Sequence, residues 1–153
     1  MSRKKPRPIP VPARTIPGLI DAHTHLASCK DDAAALVDRA CAAGVDKLCT
    51  VGDGLAEAEA ALAAAHAFPH VYAACAIHPT RVGELDQAAQ ARLVEMIADP
   101  RCVAVGETGL DTYWIGKSET CAPLDMQEEA LRWHIVRAVR PAAPGGGTCH
   151  EER

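Results

Sequence analysis

Short apolar runs alternate along the chain with longer stretches whose apolar residues recur every three or four positions. That change of period marks strands followed by helices. It predicts strands at Leu19–His23, Asp46–Val51, Val71–Ile77 and Cys102–Gly106. Helices are predicted over Asp31–Ala43, Leu55–Phe68, Glu84–Ala98 and Leu124–Val139. The punctuation agrees. Gly44 follows the first helix, Gly52-Asp53-Gly54 turns the second strand into the second helix, and Pro69 and Asp99-Pro100 stop the next two helices. In the third helix Leu85, Ala88, Ala89, Leu93 and Ile97 form an apolar stripe, and in the fourth Leu124, Leu131, Ile135 and Ala138 do. Residues 108–123 are left as a long loop.

The strands are near-continuous apolar runs, the pattern of strands covered on both faces. Four consecutive βα units imply a parallel sheet with right-handed crossovers. An open four-stranded sheet and the first half of a (β/α)8 barrel both fit, the whole barrel needing about 250 residues. The polar positions favour the barrel. His23, His25, His78 and Glu107 all fall where a strand gives way to its loop, and barrel loops of that kind converge on one rim. The expected fold class is α/β, a partial TIM (β/α)8 barrel of about four βα units.

The flanks look different. Residues 1–17 carry Pro6, Pro8, Pro10, Pro12 and Pro17 among basic residues, which predicts an extended tail. Residues 18–140 hold the half barrel. A fifth strand is due near residue 140, but residues 141–153 read as a Pro/Gly-rich unstructured tail. The sequence change there is compatible with a truncation or a frameshift.

Composition narrows the function classes. The chain has 153 residues, 48% hydrophobic and 24% charged, which suits a globular core rather than disorder. The net charge is −4; removing the five basic residues of 1–17, a segment without acids, leaves −9 for the rest. The body therefore does not attract nucleic acid by charge alone. The uncharged stretch 60–80 is broken by Pro69, His66, His70 and His78, so no membrane span is expected. The seven cysteines are odd in number and lack a C-x-x-C pair, which predicts free thiols in a reducing cytoplasm.

His23 and His25 stand two residues apart at a strand end, where both imidazoles can face one metal ion. Asp21 either orients one of those rings or caps the turn. Three segments then carry a specific resemblance: Asp21-Ala22-His23-Thr24-His25-Leu26, Ala76-Ile77-His78-Pro79 and Val105-Gly106-Glu107-Thr108-Gly109-Leu110-Asp111. Together with the helix that begins Asp125-Met126-Gln127 and carries His134, they resemble the TatD-family metal-dependent deoxyribonucleases, over residues 19 to about 139.

The resemblance implies a barrel with divalent metal ions at its C-terminal rim, Mg, Mn or Zn, two in an intact site. His23 and His25 match the ligands of one ion, and Glu107 the catalytic carboxylate that bridges toward the second. The reaction implied is phosphodiester hydrolysis, with DNA as the usual substrate. His78 and Asp111 are candidate substrate contacts, each with a structural alternative: a rim hydrogen bond for His78 and a loop-holding role for Asp111. His134 is expected to pack, and Tyr113 and Trp114 either stack on a base or cover the mouth. The family draws further ligands from second-half strands that have no match here, so the chain alone is expected to be weakly active or inactive. Two alternatives stand beside this reading. One is a non-catalytic remnant or half-barrel module that pairs with a second copy or a complementing half through its sheet edges. The other is an amidohydrolase-like H-x-H enzyme acting on a small substrate.

Overall fold

The computed structural model describes residues 14–139. Residues 1–13 of the predicted N-terminal tail, and the predicted C-terminal tail with Cys149 and His150, lie outside the described residues. The described chain runs β1 (Leu19–Thr24), α1 (Ala33–Ala42), β2 (Val45–Gly52), α2 (Leu55–Ala67), β3 (Val71–Cys75), α3 (Gln87–Ala98), β4 (Cys102–Ala104) and α4 (Leu124–Ala138). Short 3-10 turns at Leu26–Ser28 and Pro79–Glu84 follow β1 and β3. The four strands form one parallel sheet in the order β1-β2-β3-β4. This is the succession of βα units that the apolar pattern predicts.

The starts of α1 and α3 are set by acids. The Asp32 carboxylate accepts from the N–H groups of Ala34 and Ala35, so α1 begins after the acid pair rather than at Asp31. Asp86 accepts from Ala89 N–H at 2.8 Å and starts α3 at Gln87, three residues later than expected. Pro79–Glu84, whose last residue was expected in that helix, is a 3-10 turn instead.

The core lies between β2, β3 and the covering helices. Val71, Ala73, Cys75 and Ile77 are fully buried, and they share one cluster with Ala58, Ala61 and Ala65 of α2 and Leu93, Met96 and Ile97 of α3. Full burial of a side chain the size of Leu93 or Ile77 contributes about 1.5–3 kcal/mol. The alanines contribute less each but let α2 lie close to the sheet. Gly52 shows how close: a Cβ there would stand 2.3 Å from the Ala58 nitrogen.

Two expectations need correction. The outer strands are not covered on both faces: Leu19, Ile20 and Val103 are 42%, 56% and 56% exposed. Ile20 and Val103 line an open concavity with Lys47, Cys49 and Tyr72, because nothing among the described residues packs on that side of β1 and β4. The buried stripe of α4 is also not the apolar one. Leu124 and Ile135 are exposed, while Gln127, Ala130 and His134 are buried. Polar burial of this kind holds only when the groups are hydrogen-bonded. Gln127 donates to the carbonyls of Asp111 and Ala122 and accepts from Asp111 N–H. His134 Nε2 accepts from Ile77 N–H at 3.2 Å, and its Nδ1 bonds Ala130 carbonyl at 2.7 Å.

Candidate metal centre

The end of β1 departs from a regular ladder. Its register against β2 shifts between Asp21 and Thr24. There the Asp21 carboxylate accepts from the backbone N–H of His23 at 3.2 Å. Three residues beyond His23, Leu26 is buried, and its N–H donates to the buried Thr50 hydroxyl of β2. His23 and His25 are thus held by backbone anchors while their rings project outward. Glu107 arrives from the far side of the sheet, three residues after β4, and the peptide bond that precedes it is cis.

These three side chains meet. The Nε2 atoms of His23 and His25 lie 3.1 Å apart, and Glu107 Oε2 lies 3.6 Å and 3.7 Å from them. A point equidistant from three atoms with those separations lies about 2.0 Å from each, a bond length of divalent zinc or magnesium to nitrogen or oxygen. Among the described residues no other His, Cys, Asp and Glu side chains form such a group. The side chains are 54%, 35% and 38% exposed, so a ligand from solvent can reach them. Two imidazoles and a carboxylate form a mixed N/O donor set with faces open for further ligands.

The other predicted residues take structural partners. Asp21 touches the backbone of His23, which is the capping alternative. His78 Nδ1 accepts from Thr80 N–H and lies 2.7 Å from its hydroxyl, so His78 caps the 3-10 turn that follows β3. Its backbone N–H donates to Asp53 carbonyl after β2. Asp111 holds the long loop: its carboxylate accepts from Tyr113 N–H and Trp114 N–H. Neither His78 nor Asp111 joins the three-residue group. His134 is fully buried, and burial lowers its pKa, in keeping with the packing role. Cys29, Cys41, Cys49, Cys75 and Cys121 are free thiols. The neighbouring Cys102 and burial push the Cys75 thiol well above the usual range, which makes it a poor nucleophile.

The rim also contains groups that sequence reasoning missed. Arg81 bonds Asp53 at 3.3 Å, Glu57 at 2.9 Å and Glu84 at 2.6 Å. Glu57 and Glu84 raise its pKa, and its guanidinium lowers that of Glu57. The signal was Gly54, read only as a turn. A Cβ there would stand 2.3 Å from the Arg81 guanidinium carbon. The glycine clears space for a cation that ties the loops after β2 and β3 together.

A protein-family model described as TatD related DNase matches residues 20–144. The chain is 48% identical over 130 residues to the uncharacterized metal-dependent hydrolase TatD of Mycobacterium tuberculosis, covering 82% of this chain and 49% of that protein. It is 37% identical over 76 residues to the 3'-5' ssDNA/RNA exonuclease TatD of Escherichia fergusonii, covering 50% of this chain and 29% of that protein. A solved TatD homologue from Escherichia coli K12 superposes with a TM-score of 0.67 at 24% identity, over 78% of this chain and 46% of that one. An uncharacterized amidohydrolase from Saccharomyces cerevisiae gives 0.65 at 17% identity, over 83% and 45%. These two share the fold of a partial barrel. The chain spans half or less of the length of each of these relatives.

Proposed function

The chain belongs to the TatD-related DNase family, and from that premise we propose that it carries the metal-binding half of a phosphodiester hydrolase acting on DNA. The convergence of His23, His25 and Glu107 supports this reading. A divalent cation there would polarise a phosphate oxygen and acidify a bound water. The two imidazoles would be its nitrogen donors. Glu107, with two oxygens and a formal charge, would be the catalytic carboxylate, shared with a second cation where one is bound. The open rim lets a phosphate approach the same point. Residues 18–140 make up this half. Its free thiols suit a reducing cytoplasm. His78 and Asp111 shape the rim through the turn and loop that they hold, and are its candidate substrate contacts.

The 153-residue chain binds the cation but turns over slowly or not at all by itself, because His23, His25 and Glu107 supply the donors of one cation and no second group among the described residues supplies those of another. Calorimetric titration with zinc and manganese, followed by hydrolysis assays on single-stranded DNA, tests both statements. Saturable metal binding that Glu107→Gln weakens supports the site. An absence of metal binding overturns it. Rapid DNA cleavage that Glu107→Gln removes would show that the half site suffices.

A second reading has its own observation. The exposed apolar residues of β1 and β4, and the concavity they line, fit a half barrel that pairs with a second copy or a complementing half. Light scattering that shows only monomer at high concentration counts against a second copy.

A further inference from the structure

The loop between Glu107 and α4 carries exposed side chains that the metal centre does not use. Tyr113 and Trp114 are 64% and 46% exposed, flanked by Leu110 at 48% and Ile115 at 37%. The two aromatic side chains thus offer π faces to solvent at neighbouring positions. The rings are also fixed in place. Tyr113 and Trp114 pack edge to face, with centroids 5.0 Å apart and planes at 86°. The Asp111 carboxylate holds both of their backbone N–H groups. The Asp111 backbone is in turn held by the fully buried Gln127 of α4. The turn from Trp114 to Ser118 folds Lys117 back, so that its ammonium lies 3.6 Å from the Tyr113 ring centroid. Part of the loop is therefore a rigid mount for two exposed rings and one cation.

We propose that Tyr113 and Trp114 form a stacking platform for the unpaired bases of a single-stranded nucleic acid. This rests on the phosphodiester reading of the metal centre and adds the contact that chooses single strands. Trp114 is seven residues beyond Glu107, at most about 25 Å along the chain. Bases within about seven nucleotides of a phosphate held at the cluster can reach it, at about 3.4 Å per nucleotide. Charge cannot supply the grip, since the body outside residues 1–17 carries −9. Stacking needs no net charge and accepts any base, because every base has a π face. It also excludes duplex, whose base faces are already covered by their neighbours. Lys117 adds a single cation beside the rings, where it can neutralise one passing phosphate.

The test is fluorescence anisotropy with the full chain in EDTA, so that binding is read apart from hydrolysis. The probes are a thymidine decamer, an abasic deoxyribose-phosphate decamer and a decamer duplex. The thymidine decamer should bind about tenfold or more tightly than either of the others. Tyr113→Ala and Trp114→Ala should each weaken it by about tenfold and leave the abasic probe unchanged. Trp114→Phe, which keeps a ring, should retain most of the affinity and guards against simple misfolding. Raising salt from 50 to 200 mM should cost less than about tenfold, against the thousandfold or more of a protein with many phosphate contacts. Equal affinity for thymidine and abasic probes, or no binding of the thymidine probe, overturns the platform. Self-association that the ring variants abolish, without oligonucleotide binding, would show that the rings cover a protein partner. The two readings fail separately. Metal binding without base discrimination removes the platform alone, and base discrimination without metal binding removes the metal centre alone.

Discussion

At the N-terminal ends of the strands, Arg101 spends its guanidinium on backbone. It donates to the carbonyls of Ala65, Phe68, Pro69 and Val71, and its guanidinium carbon lies over the Tyr72 ring, 4.5 Å from the centroid. Nearby, His66 pairs with Asp99 at 2.9 Å, and His70 Nδ1 lies 3.1 Å from the Asp46 carbonyl. At the C-terminal ends, His23, His25 and Glu107 face chiefly one another, and no protein group among the described residues bonds either imidazole Nδ1. Both ends gather charged and imidazole side chains. One end consumes their bonding capacity in closing loops, and the other turns it toward one shared point. The difference separates a group that stabilises from a group that binds, and proximity alone would not have done so.

Substitutions at the two ends should therefore have opposite signatures. The largest effect is expected at the rim. His25→Ala should lower zinc or manganese affinity more than about a hundredfold, since loss of a ligand's hydrogen-bonding partner alone costs about 10–100-fold. The urea midpoint of the metal-free chain should barely move. A large loss of metal-free stability would mean that the rim is structural too. Next comes Arg101→Met, which strands several carbonyls at once and should cost about 2–4 kcal/mol in urea unfolding. Metal affinity of its folded fraction should stay at the parent value.

The smallest effect concerns pH, and it tests where the boundary between the two kinds of group lies. His134 is buried as the neutral ring, and burial lowers its pKa below the ordinary 6.5. The unfolded chain therefore takes up the proton first as pH falls. The stability His134 contributes is complete above about 6.5 and is lost as pH drops from there toward its lowered folded value, by at most about 1.4 kcal/mol per pH unit. The stability advantage of the parent over His134→Gln should shrink between pH 7.5 and 5. An advantage that holds constant would show that His134 does not titrate as a buried neutral group.

Much of the rim was legible in the sequence because its logic is local. His23 and His25 need only the period of a strand, and the Gly106-Glu107 run needs only its place after the fourth strand. What stayed hidden depends on partners far apart. The stripe of α4 was assigned to Leu124, Leu131, Ile135 and Ala138 because periodicity counts apolar residues, whereas the helix buries Gln127 and His134. The reason is a pair of bonds, to Asp111 sixteen residues away and to Ile77 fifty-seven away. The exposed faces of β1 and β4 escape the apolar pattern for a related reason. An apolar run shows that a strand is suited to cover, not that cover is present. Asp21, His78 and Asp111 lay near the predicted site in sequence, yet backbone groups engage them first.

The strand order β1-β2-β3-β4 has a consequence for assembly. Each strand pairs with the one made just before it, so the sheet can grow by short loop closures as the chain emerges, a route that favours fast folding. The metal cluster does not follow that rule. It joins residue 23 to residue 107 and so closes only after every intervening strand is in place. A cation held there would act as a clasp between the first and last strands. It would favour the complete sheet over partly built ones in proportion to the logarithm of its concentration relative to its dissociation constant.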